Sequence, residues 1–201
     1  MKPLDLSYKV LKITIHCLSF IPLAFVVFAI VTQSRLLGAD PQEKVLHLMG
    51  LWSLIFLLGT LSLTPINRIL KLPIMIRFRR VLGLYSAFYL LLHILMFFVF
   101  YLELDMAQLL KETIERPYIT LGMIATVLIF SLSATSTKAI QRKMGIKWHK
   151  LHQSIYLVGI LAVAHFIWQS KSDLNEPFWY LIWLAFVLAY RIYYKIKTSN
   201  K

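Results

Sequence analysis

Six blocks of apolar residues, each about twenty residues long, constrain the fold of this chain more than any other feature. They cover approximately residues 13–31, 45–63, 81–102, 118–134, 151–168 and 178–194. A helix of about twenty apolar residues spans the hydrocarbon core of a bilayer, which is about 30 Å thick. Apolar residues make up 59% of the 201 residues, above the roughly 45–50% of soluble domains. The sequence therefore predicts an all-α, multi-pass membrane protein with one bundle of six transmembrane helices.

The charged residues between these blocks are divided unequally between the two sides of the predicted membrane. The side that holds both termini carries 17 of the 22 Lys and Arg residues and one of the nine Asp and Glu residues. Short basic loops stay in the cytoplasm, so we predict that both termini are cytoplasmic. The same asymmetry explains the net charge of +13. The charge therefore does not indicate nucleic-acid binding, and contact with anionic membrane lipid is the simpler interpretation.

Two prolines bear on the predicted helix boundaries. The residue before a proline avoids the helical conformation, so Thr64 and Pro65 predict the end of the second helix. Pro22 lies inside the first apolar run and is a candidate site for a kink. That run is longer than the roughly 7–15-residue core of a secretory signal, and no small-x-small cleavage site follows it. We therefore interpret it as a retained first helix.

The cysteine content limits the kinds of metal site that the chain can form. Cys17 is the single cysteine, and a lone thiol forms no internal disulfide. One thiol cannot hold an iron–sulfur cluster, and the absence of a Cys-x-x-Cys-His motif excludes covalent c-type haem. Any metal must therefore be held by histidine, of which the chain has six.

His93 and His165 fall at one predicted depth on two different helices. They follow Arg80 by thirteen residues and Lys150 by fifteen, which places both roughly 20 Å from the cytoplasmic edge at a helical rise of about 1.5 Å per residue. A polar side chain at that depth indicates function by default. Neutral imidazole is a usual ligand of haem iron, so we predict that the pair binds b-type haem. A proton relay is the main alternative, but relays usually include intramembrane Asp or Glu, and none lies in the six blocks.

The other four histidines are predicted near the two edges of the membrane: His16 and His152 at the cytoplasmic edge, His149 just outside it, and His47 at the outer edge. His149 lies in a basic loop, where water solvates it. The pair at the cytoplasmic edge could hold a second haem, a flavin or a quinone. For His16 or His47 taken singly, a hydrogen-bonded contact between helices is an equal alternative.

The spacing of His152 and His165 argues against a simple stack of two haems. Thirteen residues at about 100° each leave the two side chains about 140° apart around an ideal helix. They share one face only if the helix is irregular, and Gly159 is the candidate position for such an irregularity.

A basic cluster precedes the third apolar block and consists of Arg77, Arg79 and Arg80. Guanidinium groups bind phosphate well, so this cluster is a candidate site for the phosphate of a flavin nucleotide or for an acidic reductase. The alternative is that these charges only set the topology and contact anionic lipid.

Several stretches of the sequence, in their order and spacing, are typical of one known family. They are LGADP (37–41), LTPINR (63–68), RFRRVLGL (77–84), RPYITLG (116–122), STKAIQRKMGIKWHKLH (136–152) and the residues around His165. In these stretches the chain resembles the haem-binding membrane subunits of bacterial MsrPQ-type methionine-sulfoxide reductase systems, a family of ferric-reductase-like transmembrane domains. The similarity covers nearly the whole chain, so we expect residues 1–201 to form one such domain.

The resemblance implies a bacterial inner-membrane protein that binds one or two b-type haems, with FMN also associated with the family. It implies that electrons pass from a cytoplasmic flavin reductase or a membrane quinol to a periplasmic, molybdopterin-containing methionine-sulfoxide reductase, which repairs oxidised periplasmic proteins. Substrate chemistry would then belong to the partner. The family's haem histidines correspond to His93, His152 and His165, and relatives also carry histidine at the positions of His16 and His47.

Two other functions stay open at this point. The first is a ferric-reductase-like or quinol-oxidising cytochrome whose electron acceptor is a small molecule. The second is a haem-free assembly or transport protein, which would lack the α and Soret bands of b-type haem in a reduced-minus-oxidised spectrum.

Overall fold

The computed structural model describes residues 3–33, 35–170 and 173–199, apart from the side chains of residues 3–7 and 199. This part of the chain contains no strand. Its α-helices are α1 (Pro3–Val31), α2 (Pro41–Leu70), α3 (Arg79–Phe100), α4 (Met106–Glu115), α5 (Pro117–Ala134), α6 (Lys138–Met144), α7 (Ile146–Gln153), α8 (Ile155–Gln169) and α9 (Asn175–Ser199). Two short 3-10 helices, Arg35–Leu37 and Pro73–Phe78, precede α2 and α3.

Helix α2 lies at the centre of the bundle. It begins after Asp40, whose side chain accepts a hydrogen bond from the backbone N–H of Glu43 at 2.9 Å, and Pro41 occupies its first turn. Of its most apolar 18 residues 61% are buried, against 17–28% in the other membrane-length helices. One apolar cluster packs α2 against α1 and α3, and a second packs it against α5, α8 and α9. Helix α2 therefore joins the two halves of the molecule.

Five helical segments are long and apolar enough to cross a membrane: Tyr8–Val31, Pro41–Leu70, Pro73–Phe100, Pro117–Ala134 and Ile146–Gln169. They correspond to the first five predicted spans. The sixth predicted block forms α9, but this helix is not among the five. Its Trp and Tyr side chains, together with Arg191, make it less apolar than the others. The bundle presents many large apolar side chains outward, including Phe25 and Phe28 of α1, as a surface in contact with lipid requires.

The prediction that the second helix ends at Thr64 and Pro65 is wrong, because α2 continues through Pro65 to Leu70. A proline inside a helix leaves the carbonyl four residues earlier without its N–H donor, and here that carbonyl belongs to Leu61. Arg191 of α9 supplies the missing donor: its Nη2 lies 2.7 Å from the Leu61 oxygen, and its Nη1 donates to the Tyr156 hydroxyl at 2.6 Å. A side chain from a neighbouring helix thus makes the proline tolerable.

The predicted fifth helix is divided into α7 and α8 at Ser154. The Ser154 N–H donates to the Leu151 carbonyl at 3.0 Å, and its hydroxyl donates to the same oxygen at 2.7 Å. These bonds span three residues and tighten the backbone into a 3-10-like turn. The irregularity therefore lies at Ser154 and not at Gly159, which sits inside α8 where the helix packs closely on Leu184 of α9.

Polar side chains connect the helices at several levels. Ser53 of α2 and Ser86 of α3 each donate a hydrogen bond to the other's backbone carbonyl, at 2.9 and 3.0 Å. The hydroxyl of Tyr89 donates to the carbonyl of Ser19 in α1 at 2.6 Å. Such bonds hold helices together where the surroundings supply no water.

Arg191 offers a direct test of how α2 tolerates its proline. We expect Arg191→Met to destabilise the detergent-solubilised protein by about 1–3 kcal/mol, because the Leu61 carbonyl then loses its partner in an apolar setting. In a Pro65→Ala background the same change should cost less, because the new N–H of residue 65 can bond to that carbonyl. Thermal or denaturant unfolding of the four proteins forms a double-mutant cycle.

The exposed Lys195, one turn further along α9, supplies the control. Lys195→Met removes a positive charge at the same end of the helix and should leave the stability nearly unchanged. An equal cost of Arg191→Met in the wild-type and Pro65→Ala backgrounds would contradict this account of the proline.

Candidate functional site

The structure brings the rings of His93 and His165 together between α3 and α8. Their ring centroids are 6.4 Å apart, and their planes meet at 83°. The sequence predicts the two residues at one depth on separate helices, and their rings do meet at one level of the bundle. Both side chains are half-buried.

Each of these two rings is held by a backbone carbonyl. The Nδ1 atom of His93 lies 2.9 Å from the carbonyl oxygen of Leu46, and the Nδ1 atom of His165 lies 2.6 Å from that of Tyr118. A carbonyl oxygen can only accept, so Nδ1 must carry the hydrogen in both rings. In the neutral imidazole the other nitrogen, Nε2, then presents its lone pair. This is the tautomer in which a histidine binds a metal through Nε2.

A glycine lies against each ring. A Cβ atom added to Gly50 would lie 2.9 Å from Nδ1 of His93, and one added to Gly122 would lie 3.0 Å from Nδ1 of His165. Each glycine stands one helical turn after the residue whose carbonyl holds the ring. The space beside each glycine is therefore filled by an imidazole.

The two halves of the site repeat one arrangement. In both, the histidine follows its carbonyl partner by 47 positions, and the glycine comes four positions after that partner. The pair α2 and α3 carries one copy, and the pair α5 and α8 carries the other. The repeat is not evident from the sequence alone, because the apolar residues between these positions differ. The one signal in the sequence that could have revealed the repeat is a glycine followed by a histidine at the same separation, as in Gly50 and His93 and in Gly122 and His165.

A cavity of about 470 Å³ lies between α2, α3, α4, α5 and α8 and includes both rings in its wall. Its volume is in the range of small-molecule and cofactor sites, roughly 300–1,000 Å³. Most of the lining is apolar, and its polar side chains include Glu43, His47, Arg116 and Gln169. These four lie near the ends of α2, α5 and α8 on the side of the bundle that is predicted to face outward. The interior of the cavity is therefore lined by apolar side chains, and polar side chains are concentrated at one end.

The separation of the two rings is compatible with one metal bound between their Nε2 atoms. A metal–imidazole bond is about 2 Å long, so two nitrogens on opposite sides of one metal are about 4 Å apart. Adding roughly 1 Å from each nitrogen to its ring centre gives a centroid separation of about 6 Å, close to the 6.4 Å found between His93 and His165. In the described part of the chain no three His, Cys, Asp or Glu side chains converge as a metal cluster. The histidine pair is thus suited to a metal whose remaining ligands come from a cofactor.

Three of the four polar residues at this end of the cavity, His47, Gln169 and Arg116, make side-chain contacts. His47 is exposed, and its Nε2 lies 2.9 Å from the side-chain nitrogen of Gln169, which donates to it and links α2 to α8. Arg116 pairs with Glu112 at 2.6 Å and donates to the Tyr118 hydroxyl at 3.3 Å. The Tyr118 contact, with Glu112 nearby, raises the pKa of Arg116 above its already high value. Arg116 therefore stays positively charged.

His152 and His16, predicted near the cytoplasmic edge, lie outside the lining of this cavity. The Nε2 atom of His152 is 3.1 Å from the Thr135 hydroxyl, and its ring stacks on Trp148 at a centroid distance of 3.9 Å. The Nδ1 atom of His16 is 2.7 Å from the hydroxyl of Tyr85 on α3. The structure therefore does not bring these two histidines together or add them to the His93–His165 pair.

The remaining predicted residues lie at the surface. His149 is exposed, as expected for a solvated residue. Arg77 stands over the ring of Tyr8 at 5.4 Å from its centroid, while Arg79 and Arg80 begin α3. These three arginines lie at the end of the bundle opposite the polar end of the cavity.

Comparison with known proteins identifies the family. Residues 46–163 match the family model described as "Ferric reductase like transmembrane component". Three similar proteins carry the name "Protein-methionine-sulfoxide reductase heme-binding subunit MsrQ". That of Xanthomonas euvesicatoria is 42% identical over 171 residues, 83% of this chain and 77% of the relative. That of Xanthomonas oryzae is 40% identical over an alignment of 202 residues, which covers 96% of this chain and 91% of the relative. That of Cronobacter sakazakii is 38% identical over 182 residues, 90% of each.

No solved structure matches the chain. The family model covers more than half of the sequence, and its apolar helices agree with a multi-pass membrane protein. The chain belongs to the MsrQ family, within the group of ferric-reductase-like transmembrane components.

Proposed function

We propose that the chain is a membrane electron-transfer subunit that binds b-type haem through His93 and His165. The observation that carries this proposal is the pair of facing rings, each with its Nδ1–H held by a carbonyl and each beside the cavity. The relatives are named heme-binding subunits, which agrees with that geometry. Non-covalent binding follows from the cysteine content, because a single thiol cannot form the two links of c-type haem.

When bound, haem supplies the one-electron carrier, and the chain's own residues set its environment. His93 and His165 would hold the iron, and the carbonyls of Leu46 and Tyr118 fix the orientation and basicity of the two imidazoles. The apolar wall excludes water, which influences the reduction potential. Arg116, at the polar end of the cavity, has the charge to pair with a carboxylate group of the haem. Substrate chemistry would then belong to the partner protein.

The direction of transfer that we propose combines the topology predicted from the loop charges with what the resemblance to the family implies. With both termini in the cytoplasm and α9 as a sixth span, the polar end of the cavity faces the periplasm of a bacterial inner membrane. Electrons would enter from a cytoplasmic flavin reductase, bound FMN or a membrane quinol. They would leave toward a periplasmic, molybdopterin-containing methionine-sulfoxide reductase that repairs oxidised proteins. The name of the relatives, a subunit of a protein-methionine-sulfoxide reductase, supports a partner of this class.

Replacing either ligand tests the haem assignment. We expect His93→Ala and His165→Ala each to abolish binding of this haem, because a single imidazole would then hold the iron where two would in the wild type. Haem content per protein and the reduced-minus-oxidised spectrum of the purified variants measure this. His149→Ala, at an exposed histidine of the same chain, is the matched control and should keep full haem content. Unchanged haem in both ligand variants would remove the assignment.

His152 tests the number of haems. The resemblance to the family made His152 a candidate ligand, but its Nε2 lies 3.1 Å from the Thr135 hydroxyl and its ring stacks on Trp148. We therefore expect one haem per chain, both in the wild type and in His152→Ala, as measured by haem-to-protein stoichiometry. A wild type with two haems that falls to one in His152→Ala would show that a second site uses this residue.

Reoxidation of the reduced protein distinguishes the proposed acceptor from the alternative of a small-molecule acceptor. We expect the purified and chemically reduced chain to be reoxidised when its methionine-sulfoxide reductase partner and a protein containing methionine sulfoxide are both added. Partner without sulfoxide is the control and should give at most one stoichiometric reoxidation. A haem that stays reduced with both present, but is oxidised by ferric chelates or quinones, would favour a ferric-reductase-like or quinone-linked cytochrome.

A further inference from the structure

We propose that Gly50 and Gly122 are positioning residues, whose missing side chains allow each imidazole to reach its backbone carbonyl and thereby set the ligand geometry and the reduction potential. This inference rests on the proposed haem ligation by His93 and His165. It assigns a role to two residues that do not themselves contact iron.

The close approach concerns one edge of each ring. A Cβ on Gly50 would lie 2.9 Å from Nδ1 and 3.0 Å from Cε1 of His93, and a Cβ on Gly122 would lie 3.0 and 3.1 Å from the same atoms of His165. Unbonded carbon atoms prefer separations of about 3.5–4.0 Å. An added methyl group would therefore push on the edge of the ring that donates to the carbonyl.

The position of each glycine follows from helix geometry. In an α-helix the Cα–Cβ bond tilts toward the N-terminus, so a side chain covers the turn before its own position. Residue 50 would thus cover the carbonyl of Leu46, and residue 122 would cover that of Tyr118. Each carbonyl has two lone pairs, one for the helical N–H and one for the histidine. Glycine leaves the second lone pair open to the neighbouring helix.

The repeat makes a packing coincidence a poor explanation. The same order of carbonyl, glycine one turn later and histidine 47 positions after the carbonyl occurs in both helix pairs. Other glycines of the bundle do not share it. A Cβ on Gly59 would have its nearest contact at 3.8 Å, with Leu82, and one on Gly83 at 3.9 Å, with Thr60. Both are ordinary distances, so these two positions serve as controls on α2 and α3.

The carbonyl bond has a predictable effect on the metal. A hydrogen bond from Nδ1–H makes an imidazole ligand more basic, and a more basic ligand stabilises ferric iron over ferrous iron. Loss of the bond should therefore raise the reduction potential. Gly50→Ala and Gly122→Ala should both act in this direction, because either added methyl group would crowd the edge of the ring that donates to the carbonyl.

The experiment uses the full chain in detergent, with Gly50→Ala, Gly122→Ala, Gly59→Ala and Gly83→Ala prepared side by side. Haem is titrated into haem-free protein, and the reduction potential is followed spectroscopically. We expect about 10- to 100-fold weaker haem binding for Gly50→Ala, the range found for residues that orient metal ligands. Gly122→Ala should show a comparable loss, both variants should have a raised reduction potential, and the two controls should match the wild type. Alanine is the better helix former, so a loss of helix propensity cannot explain the effect.

Two further measurements keep the outcome decisive. The melting temperature of each haem-free variant reports whether it folds. If Gly50→Ala does not fold, the reduction potential of Gly122→Ala tests the positioning role. Nitrogen-15 NMR of histidine in the haem-free chain reports whether Nδ1 keeps its proton, independently of haem. Glycine variants that match Gly59→Ala in affinity, potential and NMR spectrum would overturn this inference. A wild type that binds no haem would instead overturn the proposed function.

Discussion

Backbone carbonyls that accept a hydrogen bond from a neighbouring helix are the interaction on which this structure depends. At membrane depth no water is present to satisfy a polar side chain, so its partner must come from the protein. Within a helix each carbonyl already accepts one N–H and keeps a second lone pair. In this protein His93 uses the carbonyl of Leu46, His165 that of Tyr118, and Arg191 that of Leu61. The same kind of bond therefore serves both the candidate haem site and the bundle itself.

The three bonds differ in how the carbonyl becomes accessible. At Leu46 and Tyr118, a glycine one turn later leaves the oxygen uncovered, although its helical bond is retained. At Leu61, Pro65 removes the helical donor altogether, and the guanidinium of Arg191 replaces it. Glycine thus allows the carbonyl to accept a second hydrogen bond. Proline removes the first donor, and a side chain replaces it. Two residues usually regarded as helix breakers have become the points at which helices of this bundle are joined.

The central position of α2 explains how two equivalent helix pairs form one site. It contributes to both apolar clusters, and it carries the carbonyl and the glycine of the His93 half. Helix α5 does the same for the His165 half, and the rings of the two histidines meet between α3 and α8. The cavity lies between the two pairs. A cofactor bound there would contact both halves, so its binding would stabilise the packing of the bundle.

Much of the fold could be predicted from local patterns. Four of the six apolar blocks lie wholly within single helices, while the block 81–102 runs two residues past α3 and the block 151–168 is divided at Ser154. Counting residues from the basic loops predicted that His93 and His165 lie at one level, and their rings are adjacent. Helix boundaries were less predictable, because they depend on distant partners. The continuation of α2 past Pro65 requires a guanidinium from α9, and the division at Ser154 depends on a side-chain hydroxyl competing for a main-chain oxygen. The amphipathic helix α4 was missed because its residues are too polar and too few for a membrane span.

The sequence by itself determined that this chain is a helical membrane protein with a pair of histidines at one depth, because hydrocarbon thickness and loop charge act on composition alone. The tertiary structure decided which groups face each other. In the tertiary structure the rings of His93 and His165 are adjacent, and each is hydrogen-bonded to a backbone carbonyl. The ring of His152 instead contacts Thr135 and Trp148. The rotation of each helix about its axis depends on how side chains of neighbouring helices fit together. No periodicity within a single segment contains that information.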